Sequence, residues 1–375
     1  NDARVHSAIT KNALVIPPES RIRKGAVVDR LYQSSQKLQQ LERAKTPLAL
    51  KAALKTLATV FRCTIDEVED AWKEIQNGYP YINENYTPGL LLEDEYKALL
   101  YEIPDMSEDE DFVTRRLTSP WKTMSVELPT REERLRKIID IVSQLISVDR
   151  LKEIQILTSF QRLGGKLIPP DIVGQSKWLP AIELYGEGIF FTLKEKIIAT
   201  WEKLPALQSR AEKFHRRYVN TSLHINPGLQ VSPRFILLHT LAHLLIRQLE
   251  TDAGYPAASL KERIYCTSGV TPMAGILVYV AVPDVVGSLG GLAELAEPRR
   301  FLLLLASAFD HAEWCSLDPV CSEHEGQGPG LLNRAACHAC TLIPEPCCTY
   351  GNVLLDRVFI KGDATTGIPA LLDNI

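Results

Sequence analysis

The residues best suited to chemistry are cysteines. Six of the eight, Cys315, Cys321, Cys337, Cys340, Cys347 and Cys348, fall within a 34-residue window, while Cys63 and Cys266 stand alone. A disulfide-stapled secreted scaffold is short and spreads its cysteines along the chain, so a local cluster in a long chain reads instead as a metal site in a reducing compartment. The spacing is Cys315-x5-Cys321, fifteen intervening residues, then Cys337-x2-Cys340. Two close pairs joined by a polar, glycine-containing loop can present four thiolates to a tetrahedral zinc ion (Zn2+). A closed four-sulfur shell leaves no position open to substrate, so the expected role is structural. An iron–sulfur cluster is the weaker alternative for such a set, and Cys348 is a reserve for the fourth ligand.

A second pattern, His239-Thr-Leu-Ala-His243, sets two imidazoles one helical turn apart, as zinc hydrolases do. Thr240 stands where such hydrolases carry a general-base Glu, which disfavours that mechanism. Hydrogen-bonded core histidines are the expected reading, with a second metal pair as the alternative. Gly287-Ser-Leu-Gly-Gly291 could cradle a phosphate through the backbone N–H groups around Gly287, Ser288, Gly290 and Gly291. No Lys-Ser/Thr follows it, so it is not a nucleotide P-loop, and a tight turn is the simpler reading. The chain has no G-x-S-x-G elbow, H-E-x-x-H motif, Walker motif or kinase set. A catalytic constellation is therefore not expected. The segment from Lys194 to Tyr218 holds seven Lys/Arg against three acids. Its Lys194, Lys196, Arg210, Lys213, Arg216 and Arg217 are either a solvated helix face or candidates for contacts to DNA phosphates.

The elements that must position these groups point to a mixed, helix-rich α+β fold. Leu50, Leu54, Leu57 and Phe61 recur at helical spacing, and Thr64-Ile-Asp-Glu67 is a capping box opening a helix with Val68, Trp72 and Ile75 on one face. Asp29 to Lys45 reads as one polar-faced segment. Residues 93–111 carry nine acids against the single base Lys97, the composition of a solvated acidic linker. Val126 to Pro129 suggests a short strand, and Thr130 to Phe160 follows a helical pattern. Trp178 to Phe191 alternates like a strand, with a turn or bulge at Gly186 and Gly188. Ser232-Pro233 opens an almost wholly apolar helix that must be buried, and Gly275 to Val282 reads as a central strand. A division into a helical module at 1–120 and an α/β domain at 121–375, with the zinc lobe at about 235–356, accommodates these signals.

The chain has 375 residues, 45% of them hydrophobic and 23% charged, a balance that excludes disorder as its main character. A net charge of -4 provides no global basic field, so any nucleic-acid surface must be local. The longest apolar stretch, around Phe235 to Ile246, falls well short of the ~20 residues that span a bilayer. The opening Asn1-Asp2-Ala3-Arg4 has neither Met nor signal character and reads as the interior of a longer chain.

Taken in order, several strings resemble one family. They are His239-Thr-Leu-Ala-His243-Leu-Leu, Ala258-Ser-Leu-Lys-Glu-Arg-Ile-Tyr265, Gly275-Ile-Leu-Val-Tyr, Gly287-Ser-Leu-Gly-Gly-Leu292, Trp314-Cys-Ser-Leu-Asp-Pro-Val-Cys321 and Asn333-Arg-Ala-Ala-Cys-His-Ala-Cys340. The sequence resembles the zinc-binding domain at the C-terminus of MrfA-type helicases and, among these, the DrmB family of the DISARM anti-phage system. The resemblance implies zinc on Cys315, Cys321, Cys337 and Cys340 in a bacterial cytoplasmic protein. It also implies a non-catalytic accessory subunit that partners a DrmA-type helicase and helps it engage DNA; the residues themselves point to no membrane partner and identify no small-molecule substrate. Pro346-Cys347-Cys348 departs from the family pattern, and the sequence reads as lacking the long N-terminal part expected of that family. The alternative from the residues alone is a metal-dependent hydrolase or nuclease using His239 and His243.

Overall fold

A computed structural model of the protein describes residues 6–16, 26–79, 87–103, 111–125, 131–162, 166–171, 179–221, 229–282 and 291–375. It is a mixed α+β structure. Internal contacts divide the chain into two compact units, one of Asn1–Thr114, Val148–Glu187 and Ala281–Leu289, the other of Arg115–Ser147, Gly188–Val280 and Gly290–Ile375. Both are discontinuous in sequence.

The first unit begins with β1 (His6–Leu14), followed by α1 (Val27–Tyr32), α2 (Ser35–Arg43), α3 (Pro47–Phe61), α4 (Ile65–Gln76) and α5 (Pro88–Leu100). Residues 29–45 therefore form parts of two helices, because Ser34 breaks the run and caps α2 by accepting from Lys37 N. The capping box of α4 has both halves in place, Glu67 N to Thr64 Oγ1 at 3.2 Å and Thr64 N to Glu67 Oε2 at 2.7 Å. Leu54, Leu57 and Phe61 of α3 and Val68 of α4 pack with Val28 and Leu31 into one apolar cluster.

The acidic stretch 93–111 is not a linker over its first half, since 93–100 are helix. Helical spacing explains how the charges are accommodated: Glu93 pairs with Lys97 one turn on at 3.0 Å, and the fully buried Glu95 accepts the Leu14 N–H of β1. Residues 104–110 lie outside the described residues.

β2 (Val113–Arg116) leads to α6 (Thr118–Thr123), α7 (Glu132–Ile141), β3 (Val142–Arg162), β4 (Leu167–Ile168) and β5 (Ala181–Leu193). The helical pattern expected through Phe160 thus ends at Ile141, and Val142, Leu145 and Ile146 belong to a strand. Leu145 and Ile146 are buried beside Ser147 and Val148, and a strand covered on both faces shows no period-two alternation to distinguish it from a helix. The backbone of Leu145 pairs outside any helix, donating to Thr118 Oγ1 and accepting from Leu117 N. The short strand expected at Val126 to Pro129 lies outside the described residues.

α8 (Glu195–Trp201), α9 (Pro205–Val219), α10 (Pro233–Ala253), β6 (Leu260–Thr267), β7 (Met273–Val282), α11 (Gly291–Glu294), α12 (Pro298–Glu313), α13 (Val320–Glu323) and α14 (Val358–Lys361) are the further α-helices and strands among the described residues. The strand order is β1-β3-β5-β7-β6, with β2 and β4 paired to β3. β6 and β7 are antiparallel from Leu260↔Val280 to Thr267↔Met273. β5 runs without a break through Gly188, where a Cβ would stand 2.7 Å from Val278 O and 2.8 Å from Tyr279 Cβ. Glycine there permits close approach of β5 to β7 rather than a turn.

The second unit is built around α10. Ser232 Oγ accepts from Phe235 N, Pro233 fills the first turn, and sixteen residues of the helix are buried. Packing against α12 on one side and β6 on another accounts for its nearly unbroken apolar sequence. Arg234, also buried, donates to both Glu195 and Glu202 and to the carbonyls of Thr267 and Met273, joining α8 and the β6–β7 turn to the start of α10. Among the described residues no helix is long and apolar enough to cross a membrane.

Candidate metal centres

Cys315 follows the end of α12, Cys321 lies in α13, and Cys337 and Cys340 occupy a tight turn in which Cys340 N and Thr341 N both donate to Cys337 O. The four sulfurs converge. Sγ–Sγ separations are 3.6 Å for Cys315–Cys337, 3.7 Å for Cys337–Cys340 and 3.8 Å for Cys321–Cys340. Bonds of about 2.3 Å from tetrahedral zinc place its sulfurs about 3.8 Å apart, so the set fits that ion without rearrangement. Backbone N–H groups of Leu317 and Cys337 point at the sulfurs of Cys315 and Cys340, which suits thiolate acceptors. The Cys321 contact, then the Thr341 hydroxyl and the Arg357 charge, pull the Cys340 thiol down to about 4 against the effect of burial, while the shared proton pushes Cys321 up.

A buried arginine and a half-buried one hold this lobe in place. Arg357, fully buried, donates to Ala335 O, Ala312 O and Asp318, and its Nη2 lies 3.7 Å from Cys321 Sγ. Asp318 in turn accepts from Cys315 N at 2.9 Å. Arg247 of α10 donates to the carbonyls of His338, Ala339 and Leu342 around the second cysteine pair. Such partners orient the first coordination layer and fix it to the core.

Cys348 does not belong to this set. It lies 3.3 Å from His239 Nε2, in a second convergent group of His239, His243, Glu262 and Cys348 whose donor atoms all fall within 4.8 Å of one another. His239 Nε2 is 3.1 Å from Glu262 Oε1, and His243 Nε2 is 3.4 Å from Glu262 Oε2. The two histidines share a face of α10, as their spacing requires, while Glu262 is an inward residue of β6 flanked by the buried Leu260 and Ile264. The rings of Phe235 and Tyr350 pack against His239. Burial pushes His239 below the ordinary histidine range; burial would raise Glu262, but the imidazoles beside it hold the carboxyl well below the usual range.

The basic candidates separate into different environments. Arg210 is buried and pairs with Asp356 through Nε at 2.6 Å and Nη2 at 3.2 Å, so it faces the core and not a phosphate. It shares the inward face of α9 with Leu207, Ala211, Phe214 and Tyr218. Arg217 donates from Nη1 to the carbonyls of Glu325 and Leu331, securing the loop between the cysteine pairs. Lys194 lies 3.7 Å from Asp140. Lys196, Lys213 and Arg216 are exposed, Arg216 beside Glu212. Of the possible phosphate loop, Gly287, Ser288 and Gly290 lie outside the described residues, and Gly291 is the first residue of α11.

Glu262, Arg357 and Arg234 do not stand out in the sequence by spacing. A signal exists for Glu262: it is an acid at an inward position of an otherwise apolar strand face, close in sequence to a helix bearing two core histidines. Arg357 and Arg234 are single cations beside apolar runs and become informative only once their acceptors are known.

Residues 241–341 match the MrfA Zn-binding domain family, a segment containing all four clustered cysteines, His243 and Glu262. The match and the buried four-cysteine cluster support a structural zinc. The chain is also 38% identical over 229 residues to DISARM protein DrmB of Bacillus paralicheniformis. That similarity covers 57% of this chain and 40% of the relative, so the chain spans less than half the length of the protein it matches. Over more than half its residues, then, the chain is similar to DISARM protein DrmB, and its residues 241–341, which match the MrfA Zn-binding domain, gather four cysteines at distances that suit zinc.

Proposed function

We propose that this chain is the zinc-binding part of a non-catalytic accessory subunit in a bacterial, cytoplasmic DISARM complex, partnering a DrmA-type helicase and assisting its engagement of DNA. The observation that carries this reading is the coincidence of the DrmB similarity and the MrfA Zn-binding match with a buried cysteine cluster clamped to α10 by Arg247. Cys315, Cys321, Cys337 and Cys340 hold zinc and so fix the lobe. Exposed apolar side chains in one short segment of that lobe, Trp314, Leu317 and Val320, supply a docking surface for the helicase. Lys196, Lys213 and Arg216 add phosphate contacts that raise affinity in a salt-dependent way without reading bases. A hydrolase at His239 and His243 is less favoured, because both rings are fully enclosed and Thr240 Oγ1 already accepts from Asp356 N.

Size exclusion with light scattering on the full-length protein, co-expressed with the helicase of its own operon, tests the reading. A stable one-to-one complex is expected; separate elution of the two proteins removes it. Given a complex, reversal of Lys196, Lys213 and Arg216 to Glu should weaken its binding to DNA at low salt, and unchanged affinity removes these three residues from the interface.

A further inference from the structure

We propose that His239, His243, Glu262 and Cys348 form a second, buried, closed zinc site, distinct from the four-cysteine centre. The inference rests on the geometry of these residues and is independent of the DISARM reading.

The donors come from three parts of the chain: α10, β6 and the segment after the cysteine cluster. They supply two imidazole nitrogens, a carboxylate oxygen and a thiolate sulfur, a set suited to a borderline-soft divalent cation. Tetrahedral zinc with bonds of about 2.0 to 2.3 Å sets neighbouring ligand atoms roughly 3.3 to 3.8 Å apart. The observed separations are 3.1 Å (His239 Nε2 to Glu262), 3.3 Å (His239 Nε2 to Cys348 Sγ) and 3.4 Å (His243 Nε2 to Glu262).

His243 Nδ1 lies 3.1 Å from Thr341 O, and a carbonyl can only accept, so Nδ1 carries the proton. In the neutral ring Nε2 then presents a lone pair, and what it faces is the Glu262 carboxylate, another acceptor. Among the described residues neither Glu262 oxygen nor His243 Nε2 makes a well-aligned hydrogen bond, although the imidazole nitrogens stand 3.1 and 3.4 Å from the carboxylate. Such groups, with no side-chain surface exposed, are costly unless a cation, a shared proton or a metal ion, lies between them. Metal-ligating histidines commonly donate their other N–H to a backbone carbonyl, as His243 does here.

Cys348 repeats the arrangement of the first centre. Its sulfur accepts the backbone N–H groups of Tyr350 at 3.3 Å and Asn352 at 3.2 Å, as Cys340 accepts that of Cys337. On binding, the Cys348 thiol loses its proton to solvent and a sulfur–zinc bond forms. Four protein ligands leave no open position, so the ion stabilises the junction of α10, β6 and the C-terminal lobe instead of activating water. Residue Thr341 links the two centres, its backbone oxygen on His243 and its hydroxyl on Cys340 Sγ.

The test is zinc content by mass spectrometry on the full chain and on two variants, Cys348→Ala and Cys340→Ala, with X-ray absorption at the zinc edge on the unmodified protein. Two equivalents are expected in the parent and one fewer in Cys348→Ala. The absorption should show nitrogen or oxygen scatterers near 2.0–2.1 Å beside sulfur near 2.3 Å. One equivalent with a sulfur-only shell overturns the proposal in favour of a buried imidazolium–carboxylate pair. Unchanged zinc in Cys348→Ala overturns the ligand assignment even where two ions bind. Should Cys348→Ala fail to fold, the parent's stoichiometry and scatterers decide the question alone.

Discussion

The ion pair of Arg210 with Asp356 sits at 6% and 0% exposure, where solvent screens little and either charge left alone would be stranded. Asp356 Oδ1 also accepts Val358 N, so the carboxylate orders the start of α14 as well as neutralising the arginine. Arg210→Ala should cost about 3–5 kcal/mol, the range for breaking a buried pair from one side. Arg210→Met with Asp356→Asn should recover part of it, because the amide oxygen can still accept from Val358 and no charge remains buried. Lys213→Glu, on the outer face of the same helix, should stay within about 0.5 kcal/mol. Urea unfolding of the three variants checks this, and a loss below 1 kcal/mol for Arg210→Ala would show the pair to be dispensable. Residue type alone conceals the difference: Arg210 and Lys213 are three positions apart in one basic run, and only the inward row of Leu207, Phe214 and Tyr218 separates core from surface.

Among the elements, β5 depends on a residue that contributes no side chain. The Cβ added in Gly188→Ala would meet a carbonyl oxygen and a Cβ of β7, neither at the end of a flexible side chain, so the strands must part or shift. A loss of roughly 1–3 kcal/mol is expected, read as a lower melting temperature, whereas Gly254→Ala, where nothing lies within 4 Å of the new Cβ, is penalised by its φ of +73° alone. Equal losses at the two positions would remove the role given to the β5–β7 approach. The other elements were unequally legible. Helices announced by caps, α4 and α10, are where Thr64 and Ser232 place them, because a cap is a local interaction. β3 was hidden because a strand buried on both faces has no alternation to detect. The four-cysteine set was visible because its ligands come as two local pairs; the histidine group was half visible, since Glu262 and Cys348 join it only through tertiary packing.

Across the whole molecule, stability is concentrated unevenly. The segment from Cys315 to Tyr350 contains one four-residue α-helix, two three-residue 3-10 helices and turns, too little regular structure to hold four buried cysteines together unaided. Structural zinc contributes about 10–16 kcal/mol to small metal-folded peptides, comparable with the entire net stability of a domain at about 5–15 kcal/mol. Loss of the metal should therefore release this lobe first. Arg357, which holds carbonyls on both sides of the cluster, and Arg247, which ties it to α10, lose their acceptors with it. The apolar cluster of α1 to α4 includes none of the cluster's cysteines, and its capping interactions do not involve the metal. Hydrogen exchange after chelation should accordingly show amides from Cys315 to Thr341 and in the middle of α10 exchanging faster, with α3 and α4 retaining protection. Re-addition of zinc at neutral pH should reverse the change, and acid should reproduce it, since protons compete with the metal for the thiolates. Unaltered protection in the cysteine segment would mean that side-chain packing alone holds the lobe, and faster exchange everywhere would mean that the metal stabilises the chain as one cooperative body.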